Sequence, residues 1–315
     1  MKREIILLGG SGFVGSHLVE TLLNNDDYSV SMLVHKKQPK LPVSSKDVRL
    51  VEGSFFNEDS LDELITPGST VVNLAFLKNA PDSQNINGLG NILAVCCRKK
   101  INRFIHISTA NVVGRTDEVI IDENVADLPF SSYDKVKKEL EVLVLSKFGN
   151  SSIDAVILRP TAVFGSGGEN GLQHLTELVQ CRSVKSYLKA SLYNTRRYNL
   201  VPVSYLVSAI IFLVTKQCAK KQNIFLVSAD DEKENNYLSV DQSFRKVLGL
   251  KNYSIPILRV PEIILSIILR MAGRSNIRPS RVYLSERLRQ LGWNAPEQFN
   301  DAIVSFAKGI EINKE

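Results

Sequence analysis

The stretch "ILLGGSGFVGSHLVETLL", residues 6–23, decides the fold. A short, almost continuously apolar run, "REIILL", leads into it, and a helical pattern over Phe13–Asn24 leads out, with Gly9, Gly10, Gly12 and Gly15 at the junction. Glycines there let the chain turn tightly and let the backbone approach a diphosphate. The start of the helix adds unpaired N–H donors and a partial positive charge. Gly10, Gly12 and Gly15 fit G-x-G-x-x-G, and Gly9, Gly12 and Gly15 fit G-x-x-G-x-x-G. With a strand before it, a helix after it and a second strand ending near residue 34, the turn implies dinucleotide binding. The alternative is a tight strand–helix junction without a ligand.

Working outward, "YSVSMLV", "VRLVEG", "TVVNLA", "RFIHIS" and "IDAVILRP" repeat the strand signal, separated in several places by helical segments, the longest Gln84–Lys100 and Tyr133–Phe148. Near-continuous β-branched strands alternating with helices predict a parallel sheet covered on both faces. The fold class is therefore α/β, a Rossmann-type doubly wound parallel sheet with a smaller C-terminal lobe. The cofactor domain is expected over residues 1–165 and the substrate lobe over 166–315, with the strand at 223–228 rejoining the sheet.

Hydrophobic content of 44%, charged content of 23% and a net charge of +6 over 315 residues describe an ordinary globular chain. The charge is mild and spread out, so a nucleic-acid partner is not indicated, whereas an anionic small molecule fits. Four cysteines without metal-ligand spacing read as free thiols in a reducing cytoplasm, and no metal is expected. "REIILLGG" runs straight into the glycine turn, with no signal peptide before it. The most apolar later stretch, Val260–Arg274, has too few uncharged residues to span a bilayer. It reads as a buried or partly buried helix, with contact at a membrane surface as the alternative.

The second strand is followed by "HKKQPK", with His35, Lys36 and Lys37 and no nearby carboxylate. A carboxylate there would suit the ribose hydroxyls of NAD, whereas cations suit a 2′-phosphate, so NADP is favoured and NAD remains possible. "YDKVK" puts Tyr133 and Lys137 four residues apart on one helix face. A phenol with a pKa of ~10 becomes a useful acid–base group near neutrality if about 4 kcal/mol favours its anion, which close positive charges in a cleft can provide. Ser108 and Thr109, at the end of the fifth strand, offer a hydroxyl to orient a substrate oxygen.

Together these residues resemble the extended short-chain dehydrogenases/reductases, and the resemblance covers essentially the whole chain. "GGSGFVG", "HISTANVVG", "YDKVK" and "LRPTAVFG" are similar to that family's glycine motif, Ser/Thr strand end, Tyr-x-x-x-Lys and the segment beneath the nicotinamide. "NLA", "NINGLGNIL" and the late "RLRQLGWNAP" strengthen the likeness, the last to members acting on nucleotide sugars. The resemblance implies Tyr133 as the acid–base, Lys137 as the group that lowers its pKa and holds the nicotinamide ribose, and Thr109, with Ser108 as the neighbouring alternative, as the orienting hydroxyl. It implies a cofactor site of Gly9, Gly12, Phe13, Val14, Gly15, His35, Lys36 and Ser54 on the adenosine and diphosphate side. Leu74, Ala75, Ser108, Tyr133, Lys137, Pro160, Thr161 and Val163 complete it. A homodimer through two helices of the cofactor domain is the family habit.

"LYNTRRYNL" bears on the substrate. Nucleotide-sugar members of the family hold the substrate diphosphate with an arginine in this region, so the resemblance implies Arg196 or Arg197 in that role, gripping by paired N–H donors, and Asn170 with its neighbouring glycines in a substrate loop. The expectation is an NADPH-dependent 4-ketoreductase of a nucleotide sugar in bacterial surface-polysaccharide synthesis. The alternatives are a UDP-sugar 4-epimerase with tightly bound NAD and a 3β-hydroxysteroid or flavanone-type reductase. A non-catalytic NADP sensor is disfavoured by the intact Tyr/Lys pair.

Overall fold

The structure is a computed structural model and describes residues 2–35, 48–168, 172, 184–216 and 223–312. It divides into two compact units. The first comprises Met1–Thr109, Ser132–Arg159 and Val207–Phe225, and the second Ala110–Ser131, Pro160–Leu206 and Leu226–Glu315.

The first unit is built on β1 (Arg3–Leu8), β2 (Tyr28–Val34), β3 (Val48–Glu52), β4 (Thr70–Asn73), β5 (Arg103–Ile107) and β7 (Asp154–Pro160). With β10 (Ile224–Val227) they form a seven-stranded sheet in the order β3-β2-β1-β4-β5-β7-β10, reversing direction of growth at β1. The pairings β2–β3, β1–β2, β1–β4, β4–β5 and β5–β7 are parallel, as the continuous apolar runs predict, and the edge strand rejoins as Ile157 N–H donates to the Asn223 carbonyl at 2.7 Å. Ile5, Ile6, Leu7, Val71, Val72, Phe104 and Ile105 are fully buried, which explains why these strands lack an alternating pattern. Helices α1 (Phe13–Leu23), α2 (Glu58–Leu64), α3 (Asp82–Lys99) and α4 (Ser132–Phe148) complete the unit. In α4 the residues Val136, Leu140, Val144 and Phe148, four apart, enter one hydrophobic cluster with Phe104, Leu89 and Ile92. Tyr133, Lys137 and Glu141 form the adjacent stripe of the same helix, so core packing sets the angle at which the polar stripe meets the sheet.

The second unit carries two short parallel pairs, β8 (Ala162–Phe164) with β9 (Leu200–Pro202) and β11 (Val282–Tyr283) with β6 (Ile120–Ile121). Helices Val184–Tyr193, Tyr237–Val247, Glu262–Met271 and Phe299–Ile312 belong to it. Phe164 meets Phe299 and Phe306 edge-on at 6.0 and 5.9 Å. A polar core centres on Asp230, which accepts from Asn199 Nδ2 at 2.6 Å, Asn235 Nδ2 at 2.9 Å and Tyr283 N–H at 3.0 Å. The apolar stretch after Val260 forms a partly buried helix, the lesser of the two degrees of burial expected for it. Only Leu265 and Leu269 in Glu262–Met271 are buried, because only that one-turn-apart pair meets the cluster with Ile277, Leu192 and Tyr193. No helix among the described residues is long and apolar enough to cross a membrane.

Candidate active site

The first unit gathers its candidate residues at the carboxyl ends of parallel strands, where α/β sheets bind ligands. Gly9 follows β1 with φ +84°, a left-handed conformation that favours glycine, and a Cβ on it would lie 2.9 Å from the Ala75 nitrogen. Gly15 packs on the same turn, and a Cβ there would sit 2.4 Å from the Gly9 carbonyl oxygen. Gly12 caps α1 without any side-chain hydrogen bond, so the first-turn N–H groups of Phe13, Val14 and Gly15 have no side-chain cap. A close-packed, uncapped helix start fits the diphosphate of a dinucleotide. His35 follows β2 and is exposed, and Ser54 follows β3, its hydroxyl accepting from Phe56 N–H at 3.2 Å. Leu74 and Ala75 follow β4, and Ser108 follows β5 with its hydroxyl buried and without a partner among the described residues. A buried unpaired hydroxyl at the sheet edge suits a polar ligand group. Lys36, Lys37 and Asn170 lie outside the described residues.

Tyr133, Thr109 and Lys137 come together at the same edge. Thr109 hydrogen-bonds the Tyr133 hydroxyl, which distinguishes it from Ser108. Tyr133 is crowded on the side of the fold and keeps 42% of its surface accessible. Its ring meets Phe76 edge-on at 5.4 Å, and the Lys137 ammonium stands 4.4 Å from the centre of that same Phe76 ring. Lys137 is buried and donates to the Ile107 carbonyl at 3.1 Å.

The electrostatics differ from the expectation that Lys137 holds the phenol down. Burial, and secondarily the Asp134 carboxylate, push the Tyr133 phenol above its ordinary range, while the Thr109 hydrogen bond pulls the other way. Burial also lowers Lys137 to about 8, against a smaller opposing effect of Glu141. The reason is geometric. An i, i+4 pair shares a face, but Lys137 sinks toward the strand carbonyl while Tyr133 stays at the surface of its unit. Protein groups alone therefore leave Tyr133 protonated at neutral pH. A further positive charge is needed to make it a base.

Three supporting features escape a reading by motif. Asn73 Nδ2 lies 3.2 Å from His106 Nδ1, so His106 accepts there and carries its proton on Nε2. Burial, then the Lys137 charge, push His106 down to about 3, so it is neutral. Asn73 Oδ1 also accepts from Ala75 N–H at 3.2 Å, fixing the turn after β4. Beneath Lys137, Glu141 and Arg159 form a fully buried bidentate pair, at 2.9 Å from Nε and 2.6 Å from Nη2. The four-residue spacing of Tyr133, Lys137 and Glu141 was the available signal for Glu141. Nothing in the sequence pairs it with Arg159.

The remaining candidates belong to the second unit. Pro160 ends β7, Thr161 N–H donates to the Val227 carbonyl at 3.0 Å, and Val163 lies in β8 opposite Val201. The two arginines have different surroundings. Arg197 Nη1 donates to the Glu232 carbonyl at 2.8 Å, which ties it into the unit's packing. The Arg196 guanidinium lies 5.2 Å from the centre of the Tyr193 ring, and burial lowers its pKa. Tyr193 and Tyr198 both pack on Tyr237, at 5.3 and 5.5 Å.

A glycine turn after the first strand of a parallel sheet, with Thr, Tyr and Lys at its edge, defines the short-chain dehydrogenase/reductase class of enzymes. The chain belongs to the NAD dependent epimerase/dehydratase family, whose model matches residues 5–228. It is 26% identical over 98% of its length to a UDP-glucose 4-epimerase of Vibrio cholerae, covering 96% of that protein. A more partial likeness, 27% identity over 57% of this chain and 54% of the other, is to the N-acetyl-alpha-D-glucosaminyl-diphospho-ditrans,octacis-undecaprenol 4-epimerase of Escherichia coli O157:H7. Its fold is similar, with a TM-score of 0.76 and 18% identity over the full length of both chains, to the UDP-N-acetylglucosamine 4-epimerase of Methanobrevibacter ruminantium M1.

Proposed function

We propose that this enzyme inverts the configuration at C4 of a UDP-sugar, with NAD as a cofactor that stays bound through the cycle. The observation that carries the reading is the Thr109–Tyr133 hydrogen bond at the sheet edge, with buried Lys137 one turn along. Likeness over nearly the whole chain to a UDP-glucose 4-epimerase supports the substrate class. Gly9, Gly12 and the first turn of α1 would hold the diphosphate, with His35 and Ser54 on the adenosine side. Leu74, Ala75 and Ser108 would line the nicotinamide side. The bound dinucleotide supplies a hydride acceptor and donor, with a positive charge in its oxidised form.

With the dinucleotide bound to accept and return hydride, Tyr133 Oη would take the proton of the sugar hydroxyl and would give it back after the configuration at the carbon is inverted. Thr109 holds the reacting oxygen against Tyr133 through its hydroxyl. Lys137 keeps a buried cation against the Phe76 ring, which also packs on the Tyr133 ring. The protein leaves the phenol protonated, so the cofactor's positive charge would switch Tyr133 to a base only when oxidation is possible. Arg196, in its aromatic setting, is the better of the two arginines for the substrate diphosphate, since Arg197 already donates to Glu232.

A second reading rests on "HKK" at 35–37, cationic and without a carboxylate where an NAD enzyme commonly has one. It makes the protein an NADPH-dependent 4-ketoreductase serving surface-polysaccharide synthesis. Acid release and mass spectrometry of copurifying nucleotide, followed by NMR of UDP-glucose and UDP-N-acetylglucosamine incubated with the protein, separate the two. Retained NAD and epimer formation without added nucleotide support the first reading. NADPH consumption with a UDP-4-keto sugar supports the second and overturns the first.

A further inference from the structure

Large apolar side chains left exposed are concentrated in one part of the second unit. Nine of the sixteen among the described residues fall within 184–188 and 255–271. On helix Glu262–Met271 the exposed set is Ile263, Ile264, Ile267, Ile268 and Met271, with Ile263 at 69% and Met271 at 84% exposure. At about 100° per residue these five fill a stripe about 140° wide, while Leu265 and Leu269 point the other way into the unit. Neighbouring segments extend the face. Tyr187 donates to the Pro256 carbonyl at 2.9 Å and Asn194 to the Leu258 carbonyl at 3.3 Å, which joins helix Val184–Tyr193 to the segment carrying exposed Ile255 and Leu258. A groove of about 560 Å³ between them is lined by Val184, Leu188, Tyr253 and Ile255. At the other end Arg115 donates to the Arg270 and Arg274 carbonyls and covers the exposed Phe130 ring at 3.4 Å.

We infer that this face docks on an anionic lipid bilayer, with the helix lying in the interface. Charge chooses the occupant. Lys185, Lys189, Lys251, Arg259, Arg270 and Arg274 stand within residues 184–194 and 251–274 against a single acid, Glu262. A second copy in a two-fold interface would bring this cationic rim against itself, whereas acidic headgroups complement it while the isoleucines enter the acyl boundary. Ten residues make about 15 Å of helix, too short to span a bilayer and suited to lying flat. The inference is independent of the active-site reading.

The test is cosedimentation of the full chain with phosphatidylcholine vesicles, with and without phosphatidylglycerol, at low and high salt. The expected result is binding to the phosphatidylglycerol vesicles that weakens with salt. Ile264→Glu with Ile267→Glu should lower the bound fraction by at least about tenfold, with an unchanged melting curve because both side chains face away from the unit. Arg270→Glu with Arg274→Glu should abolish the preference for anionic lipid. Failure to bind either vesicle overturns the inference, as does binding that ignores the isoleucine pair. So does a dimer in sedimentation velocity that the isoleucine pair splits without any lipid binding, which would make a second copy the occupant.

Discussion

Replacing Glu141 by glutamine tests whether the buried pair beneath the helix that carries Tyr133 and Lys137 organises the candidate site. Both partners are essentially without solvent contact, and Arg159 reaches the two carboxylate oxygens from Nε and Nη2. Glutamine keeps the shape and one acceptor but leaves the guanidinium buried without a counter-charge, which costs about 3–5 kcal/mol. Lys138, 3.5 Å from Glu141 and partly exposed, adds little to that figure. Urea unfolding followed by circular dichroism should show a loss of about 3 kcal/mol or more. The double variant Glu141→Leu with Arg159→Leu should recover much of it, because it removes both buried charges. A second readout reaches the site. Glu141 is the group that raises Lys137 against burial, so its neutralisation should lower Lys137 further and move the alkaline limb of the turnover profile to lower pH. A single variant within about 0.5 kcal/mol of wild type would refute this account of the pair.

Four further outcomes follow from the geometry. Tyr133→Phe should lower turnover by ~10²–10⁴-fold with little change in dinucleotide affinity, and unaltered turnover would remove the phenol from the proton path. Lys137→Met should abolish activity yet stabilise the fold. The folded lysine loses its proton near pH 8 and the unfolded one near 10.5, so its contribution to stability rises with pH across that window and the charged form is unfavourable below it. Removing that cost of roughly 3 kcal/mol, less about 1 for the orphaned Ile107 carbonyl, predicts a net gain of about 2 kcal/mol at pH 7 in urea unfolding, absent at pH 10.5. Gly15→Val should strip copurifying nucleotide, because its Cβ collides with the Gly9 carbonyl, and full retention of nucleotide would contradict that. Arg196→Met should raise KM for a UDP-sugar by about tenfold with a normal melting curve, whereas Arg197→Met should lower the melting temperature by losing its bond to Glu232.

Asp230 shows how far the second unit departs from what its sequence suggests. "VSADD" looks like an ordinary strand end, yet Asp230 is fully buried, and burial pushes it up to about 7 despite three donors. Between pH 3.8 and about 7 the folded chain holds this proton more tightly than the unfolded one, so its contribution to stability falls as pH rises through that window. Asn235 is close by in the chain, but Asn199 and Tyr283 come from 31 and 53 residues away. No local pattern could have gathered them.

Residues 6–23 and the apolar strand runs were sufficient to determine the sheet, because a strand buried on both faces and a glycine turn into a helix are local properties of consecutive residues. The same locality made Tyr133, Lys137 and the hydroxyls after β5 readable, since an i, i+4 pair and a strand end need no distant partner. Tertiary structure alone decided what each group became electrically. Tyr133 is raised rather than lowered, Lys137 is drawn down to about 8, and His106 is held neutral, all chiefly by burial. It also separated Thr109 from Ser108, placed Arg159 under Glu141, and decided which face of the partly buried helix Glu262–Met271 turns outward. Desolvation depends on everything packed around a group, and packing is a sum over residues that the chain brings together only when it folds.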